Sequence, residues 1–62
     1  MKQFLRLPQV KQRVGLGRTT IYEKIKAGDF PRPVSLGPQA VAWLSSEVEE
    51  WMEERITESR AS

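Results

Sequence analysis

The 62-residue chain contains no cysteine and no histidine, and these two absences exclude several kinds of stabilisation and chemistry. Without cysteine it has no disulfide, and without either residue it lacks the ligands of the familiar zinc sites. Nucleophilic catalysis by a Cys–His pair and acid–base catalysis by histidine are excluded too. No glycine-rich phosphate loop of the expected spacing occurs. We therefore predict that the protein is not an enzyme and has no catalytic residue, metal or cofactor.

Long apolar runs are also missing, although hydrophobic residues make up 39% of the chain and charged residues 29%. These proportions are typical of a globular domain, and no stretch has the length of a membrane span or the pattern of a signal peptide. We expect a single domain over residues 1–62, with its core at about residues 5–57 and a C-terminal tail that frays. The expected location is cytoplasmic, without a membrane or small-molecule partner.

Acidic residues are scarce in the first part of the chain and abundant in the last. Residues 1–37 contain eight Lys or Arg and two Asp or Glu, a net charge of +6, whereas residues 38–62 contain two and six, a net charge of −4. A polyanion such as double-stranded DNA would bind the basic part. The acidic part would repel phosphate, and it is either a solvated surface or a surface for another protein.

Residues 17–28, G-R-T-T-I-Y-E-K-I-K-A-G, have the pattern of a short amphipathic helix that ends at a glycine. At about 100° per residue, Ile21 and Ile25 lie on one side of this helix. The other side carries Thr19, Glu23 and Lys26. A mixture of hydroxyl, carboxylate and ammonium groups suits hydrogen bonding to base edges and phosphates. The alternative is a face that is merely solvated, as in most short amphipathic helices.

A second helical pattern precedes this segment, so that the two together predict a helix-turn-helix with helices near residues 8–14 and 18–27. Pro8 fits the first turn of a helix, where its missing N–H is not needed. Val10 and Val14 form the inner stripe of that helix, and Gly15 is expected to end it in a left-handed conformation. Residues 4–7 are either a very short strand or an extended lead-in.

The middle of the chain predicts a loop followed by a β-hairpin. Phe30 is the expected apolar anchor of this loop, in which Pro31 and Pro33 prevent a helix. Alternating apolar residues on either side of a Gly-Pro turn predict a hairpin near residues 33–44, which would be the wing of a winged helix-turn-helix. The fold class is therefore predicted to be α+β, with three helices and a β-hairpin wing.

The last part of the chain predicts a third helix near residues 46–57. Ser46 and Glu49 have the spacing of a capping box, although Ser45 competes for the capping position. Apolar residues recur at helical spacing and acidic residues lie between them. We interpret Trp43 and Trp51 as core residues rather than as parts of a ligand site.

These segments resemble the AlpA-type regulators of prophages, small winged helix-turn-helix proteins akin to phage excisionases and to the DNA-binding domain of MerR-type regulators. The resemblance covers about residues 5–56. It is carried by LRLPQV, by GLGRTTIYEKIKAGDFPRPV, by LGP and by WLSSEVEEW. It implies a DNA-binding regulator that activates an integrase gene, assists prophage excision, or does both.

The resemblance also implies which residues bind DNA, namely Arg18, Thr19, Thr20, Tyr22 and Glu23 at the front of the second helix, together with a basic wing that follows phosphates. This sequence departs from the family pattern at three positions. Gly17 stands where a capping serine is frequent, Glu23 where a basic residue is common, and Gln39 where the hairpin tip often carries arginine. The changes at Glu23 and Gln39 lower the positive charge of the implied interface.

Our leading hypothesis is sequence-specific binding of double-stranded DNA with the second helix in the major groove. Arg18, Thr19 and Glu23 are assigned to base edges, Thr20, Tyr22 and Lys26 to phosphates, and Arg32 to the wing. Arg18 suits guanine, and Glu23 could accept a hydrogen bond from a cytosine amino group. Alternatively, Arg18 folds back on the turn or contacts a phosphate.

Two further expectations concern protein partners. Because one domain of this size covers few base pairs, we expect copies of the protein to bind cooperatively at adjacent or repeated sites. The alternative function, from a different class, is a protein-interaction module that recruits an integrase or another partner through its acidic C-terminal helix and Trp51.

Overall fold

In the computed structural model, which describes residues 3–61, the chain forms three helices and three short strands; Met1, Lys2 and Ser62 lie outside the described residues. The order is β1 (Phe4–Leu5), α1 (Leu7–Val14), α2 (Arg18–Ala27), β2 (Val34–Gly37), β3 (Ala40–Leu44) and α3 (Ser45–Ala61). The strands form an antiparallel sheet in the order β1-β3-β2. The predicted α+β class with three helices and a hairpin is confirmed, and residues 4–5 form a strand rather than a lead-in.

The turn between α1 and α2 depends on Gly15. Its φ is 70°, a left-handed value that glycine adopts at little cost, and its N–H donates to the Lys11 carbonyl oxygen at 2.9 Å. At the other end, α1 begins at Leu7, one residue before the predicted start. The Arg6 N–H donates to Oε1 of Gln9 at 2.9 Å, and this bond supports the first turn.

The second helix has the predicted bounds. Gly17 occupies the N-cap position with an extended backbone, and it provides no side chain to cap the helix. Gly28 ends the helix with a φ of 82°. Ile21 is fully buried and Ile25 is half-buried, so the predicted inner side of the helix is confirmed.

One hydrophobic cluster contacts every helix and two of the strands. Its buried members are Leu5, Val10, Ile21, Phe30, Trp43 and Val48, with Leu7, Val14, Leu16, Ile25, Trp51 and Met52 packed at its edge. Trp43 is 0% exposed, and its indole N–H donates to the Pro31 carbonyl oxygen at 2.9 Å. Trp43 is therefore a core residue as predicted, whereas Trp51 lies at the margin of the core.

The wing formed by β2 and β3 is uncharged from residue 34 to residue 44. Val34 pairs with Ala42 and Gly37 with Ala40, with a register shift between Ser35 and Gly37. At the tip, Gln39 has a φ of 133°, and its N–H donates to the Gly37 carbonyl oxygen at 3.0 Å. The hairpin is where it was predicted, but it is not the basic wing that the resemblance implied.

The third helix is longer than predicted at both ends. It begins at Ser45, whose backbone N–H donates to the Gln3 carbonyl oxygen at 2.9 Å, so the predicted start at Ser46 is one residue late. The helix continues past the predicted end at residue 57 as far as Ala61; no glycine or proline interrupts this part, and Arg55 pairs with Glu58 at 2.9 Å. Among residues 3–61, no helix has both the length and the apolar composition needed to span a membrane.

Candidate nucleic-acid interface

The outward side of α2 forms a shallow depression that brings together five of the seven residues predicted to bind DNA. Its lining residues, called the α2 face below, are Arg18, Thr19, Tyr22, Glu23 and Lys26. All five are exposed, with Tyr22 at 37%. Their spacing of three to five residues places them on one side of a single helix. The α2 face offers guanidinium, hydroxyl, carboxylate and ammonium groups within three turns.

Tyr22 links the α2 face to the core. Its ring meets the Trp43 ring edge to face, with centroids 6.3 Å apart and an angle of 65° between the planes. The guanidinium carbon of Arg18 lies 5.7 Å from the centroid of the Tyr22 ring. Arg18 thus rests on its own helix, one turn from its Cα, and an exposed contact of this kind is worth only about 0.5–1 kcal/mol. Arg18 can therefore leave the Tyr22 ring and contact a guanine or a phosphate at a small cost in free energy.

The beginning of α2 has no side-chain cap, since Gly17 has no side chain. The first N–H groups of a helix carry a partial positive charge and need acceptors from outside the helix. A phosphate oxygen is a suitable acceptor at such a position. Thr20 is exposed in this first turn but does not line the depression, so its place fits the predicted phosphate contact better than a base contact.

The structure places Arg32 outside the wing. It is exposed on the loop between Pro31 and Pro33, and the hairpin begins only at Val34. The assignment of Arg32 to the wing is therefore corrected, because the two prolines hold its segment extended before the strand. An arginine at the base of the wing can still reach a phosphate, but the wing itself has no cation.

The cations of α2 are available for an anionic ligand. In the described part of the chain, the ion pairs are Arg13 with Glu49 at 3.6 Å and Arg55 with Glu58. Neither pair includes Arg18, Lys24 or Lys26. Among residues 3–61, these three cations thus form no ion pair with a carboxylate.

A second depression, which the sequence pattern did not reveal as one surface, lies between α3 and the loop after α2. It is lined by residues 28–31 and by Glu47, Glu50, Trp51, Glu54 and Arg55, and we call it the acidic groove. The indole N–H of Trp51 donates to the Asp29 carbonyl oxygen. No residue lines both the acidic groove and the α2 face. The sequence had indicated the acidic third helix and Trp51 as an alternative protein-binding surface, but not the contribution of residues 28–31.

A glycine-ended first helix, a second helix with an exposed polar face and a β-hairpin together define the class of winged helix-turn-helix proteins. The family model described as Prophage CP4-57 regulatory protein (AlpA) matches residues 3–56, and the chain belongs to this family. The family membership expected from the sequence motifs is thereby confirmed.

Two relatives illustrate the range of similarity. The chain is 56% identical over 55 residues to the uncharacterized protein ORF88 of Enterobacteria phage P4, an alignment that covers 89% of this chain and 62% of that protein. It is 36% identical over 59 residues to the DNA-binding transcriptional activator AlpA of Escherichia coli (strain K12), covering 86% of this chain and 84% of the relative. The chain thus spans less than two thirds of the length of the phage P4 relative.

Proposed function

We propose that this protein binds double-stranded DNA through the α2 face and regulates transcription from a prophage or a related mobile element. The observation that carries the proposal is the α2 face itself, which presents five exposed polar side chains on the second helix of a helix-turn-helix. Membership of the AlpA family supports it, as does the similarity to a relative described as a DNA-binding transcriptional activator.

In the proposed complex, α2 lies in the major groove, which is about 12 Å wide and admits a helix with its side chains. Arg18, Thr19 and Glu23 contact base edges and determine the preferred sequence. Thr20, Tyr22 and Lys26 contact phosphates and fix the position of the helix on the duplex. Arg32, at the base of the uncharged wing, adds a phosphate contact.

Glu23 has a distinct role in this scheme because it is the one carboxylate of the α2 face. A carboxylate in the major groove is repelled by every phosphate but can accept a hydrogen bond from the amino group of cytosine. Glu23 therefore lowers the affinity for most DNA sequences, and this loss is smallest where a cytosine lies opposite its carboxylate. We infer that Glu23 contributes to selectivity rather than to affinity.

The family resemblance supports a finer proposal. We propose that the protein acts at a prophage promoter, at an excision site, or at both, and that several copies bind adjacent or repeated sites. The reason is that a single α2 helix contacts only a few base pairs, so that one copy alone has low selectivity.

Footprinting on the DNA that flanks its own gene, followed by duplex titrations at about 50 mM and 200 mM salt, tests the proposal. We expect a protected segment and an affinity for it that falls steeply with salt, because each phosphate contact releases condensed cations. Equal affinity for all duplexes would exclude sequence-specific binding. An affinity that does not change with salt would exclude binding through phosphates altogether.

A further inference from the structure

We propose that the acidic groove binds a basic segment of a protein partner, a stretch of chain that carries Arg or Lys next to an apolar side chain. This binding goes beyond the proposed DNA binding and does not require it. Since no residue is shared between the acidic groove and the α2 face, one molecule can hold both partners at once.

The charge of the groove selects a cationic partner. Asp29, Glu47, Glu50 and Glu54 surround it. None of these four carboxylates has an ion-pair or hydrogen-bond partner within residues 3–61, where the acidic members of ion pairs are Glu49 and Glu58. Four unpaired carboxylates around one concave surface attract Lys and Arg and repel phosphate, so a nucleic acid is excluded as the occupant.

The groove is not only acidic, because it has an aromatic floor. The Phe30 and Trp51 rings meet edge to face, with centroids 4.9 Å apart, and Phe30 is 5% exposed. The bond from the Trp51 indole to the Asp29 carbonyl oxygen holds the Trp51 ring in place on the loop. An aromatic floor beneath a ring of carboxylates suits a segment that presents a cation and an apolar group side by side.

Arg55 shows the kind of group that this floor accommodates. Its guanidinium carbon lies 5.6 Å from the centroid of the Trp51 ring. Its Nε is shielded from solvent and has no hydrogen-bond acceptor among the described residues. An arginine of the partner could take the place of Arg55 on the ring, since Arg55 is otherwise held by an exposed pair with Glu58.

Two other occupants fit less well. The carboxylates of the described residues include no set of three or more arranged to hold a metal ion. A second copy of the chain has cations on α1 and α2, but Arg18 and Lys26 of α2 are assigned to DNA and Arg13 of α1 already pairs with Glu49, which leaves Lys11 and Lys24 on these helices. A flexible basic segment of another protein meets neither restriction.

The test uses the full chain labelled with ¹⁵N and a synthetic peptide of about ten residues in which Arg and Leu alternate; a second peptide replaces Leu by Ser. Trp43 and Trp51 provide the two indole N–H signals of the chain; Trp51 lines the groove, whereas the Trp43 ring is buried and its N–H donates to the Pro31 carbonyl oxygen at the groove. We expect the Arg-Leu peptide to shift the Trp51 signal more than the Trp43 signal, and to bind about tenfold more tightly than the Arg-Ser peptide. The same shift is expected when the protein is bound to duplex DNA.

The variants compared are Glu50→Gln with Glu54→Gln, which lie in the groove, and Glu49→Gln with Glu53→Gln, which have the same charge change and spacing but lie outside it; the second pair also removes the exposed ion pair of Glu49 with Arg13. The groove pair should weaken peptide binding about tenfold and the control pair less than twofold, with unchanged folding by circular dichroism. Equal losses in both pairs, or an unmoved Trp51 signal, would overturn the proposal.

Three further outcomes would also overturn it. If Mg²⁺ or Ca²⁺ alone reproduces the Trp51 shift, the occupant is a metal ion. If diluting the protein without peptide moves the Trp51 signal in the opposite direction, the occupant is a second copy. If duplex DNA displaces the peptide even with free peptide in excess over the DNA phosphates, which the peptide also binds, the two surfaces are not independent. If the protein binds the peptide but does not bind duplex DNA, the proposed function is refuted and the groove proposal still holds.

Discussion

The α2 face and the acidic groove are two concave surfaces on the same small core, and they differ in almost every chemical respect. The α2 face is built from one helix, carries Arg18 and Lys26 without carboxylate partners, and has Glu23 as its single acid. The acidic groove joins residues 28–31 to a distant helix and carries four unpaired carboxylates. A chain with a net charge of only +2 thus separates its charges into two surfaces that select opposite partners.

Both surfaces depend on Trp43, because this one buried residue contacts a member of each. The Trp43 ring contacts Tyr22 of the α2 face, and its indole N–H donates to the carbonyl oxygen of Pro31, which lines the acidic groove. Burial of one tryptophan therefore positions both surfaces. Substitutions on the surfaces should separate the two functions, whereas a substitution of Trp43 should remove both.

The largest effect is expected for Trp43→Ala, which should lower the free energy of unfolding by about 3–5 kcal/mol because the removed ring leaves a cavity. A 62-residue domain has only about 3–9 kcal/mol of total stability, so this loss removes most of it. Urea denaturation followed by circular dichroism measures the change. Phe4→Ala, at a side chain that is 50% exposed, serves as the control. A similar midpoint for the two variants would mean that Trp43 does not support the fold.

Arg18→Ala should affect only the α2 face. Because Arg18 is assigned to a base edge, its loss should cost about 1–3 kcal/mol on the preferred DNA site and much less on random DNA. Fluorescence anisotropy with both duplexes measures the difference, and a base-by-base site scan should show relaxed preference at one position. If affinity for both duplexes falls by the same factor, Arg18 contacts a phosphate instead.

Lys26→Ala should lower DNA affinity to a smaller and more uniform extent. A phosphate contact contributes equally to preferred and random sequences, and its loss should reduce the slope of log affinity against log salt by about one. The same titrations at several salt concentrations measure both quantities. Lys24→Ala is the matched control on the same helix, since Lys24 does not line the depression. An unchanged slope for Lys26→Ala would remove it from the interface.

The smallest effects are expected when a single carboxylate is removed. Comparing the DNA affinity of one such variant from each surface distinguishes the two surfaces directly. Glu23→Gln should strengthen binding to random DNA severalfold, because it removes a negative charge beside the phosphates. Glu54→Gln removes the same charge from the acidic groove and should change DNA affinity little, because charges beyond about 8 Å are screened at physiological salt. Equal gains for both variants would show that only net charge matters to DNA binding.

Much of the helix-turn-helix could be predicted from the sequence because its determinants are local. Gly15 and Gly28 end their helices in left-handed conformations, and the spacing of Ile21 and Ile25 defines the inner side of α2. Thr19, Glu23 and Lys26 of the α2 face follow from the same periodicity, whereas Arg18 and Tyr22 were indicated by the family resemblance. Arg32 was assigned to the wing although the predicted hairpin already began at residue 33, and the structure places it on the loop before β2, which begins at Val34.

The division of charge and the outward side of α2 were determined by the sequence alone, since they require only composition and a helical period. The tertiary structure decided which tryptophan is fully buried: Trp43 pairs with Leu5 across the sheet, whereas Trp51 packs at the edge of the core against Phe30 and the loop after α2. It also decided the start of α3, through the bond between Ser45 and Gln3, and the existence of the acidic groove. These features join residues far apart in the chain, and the positions of such residues depend on the packing of the whole core.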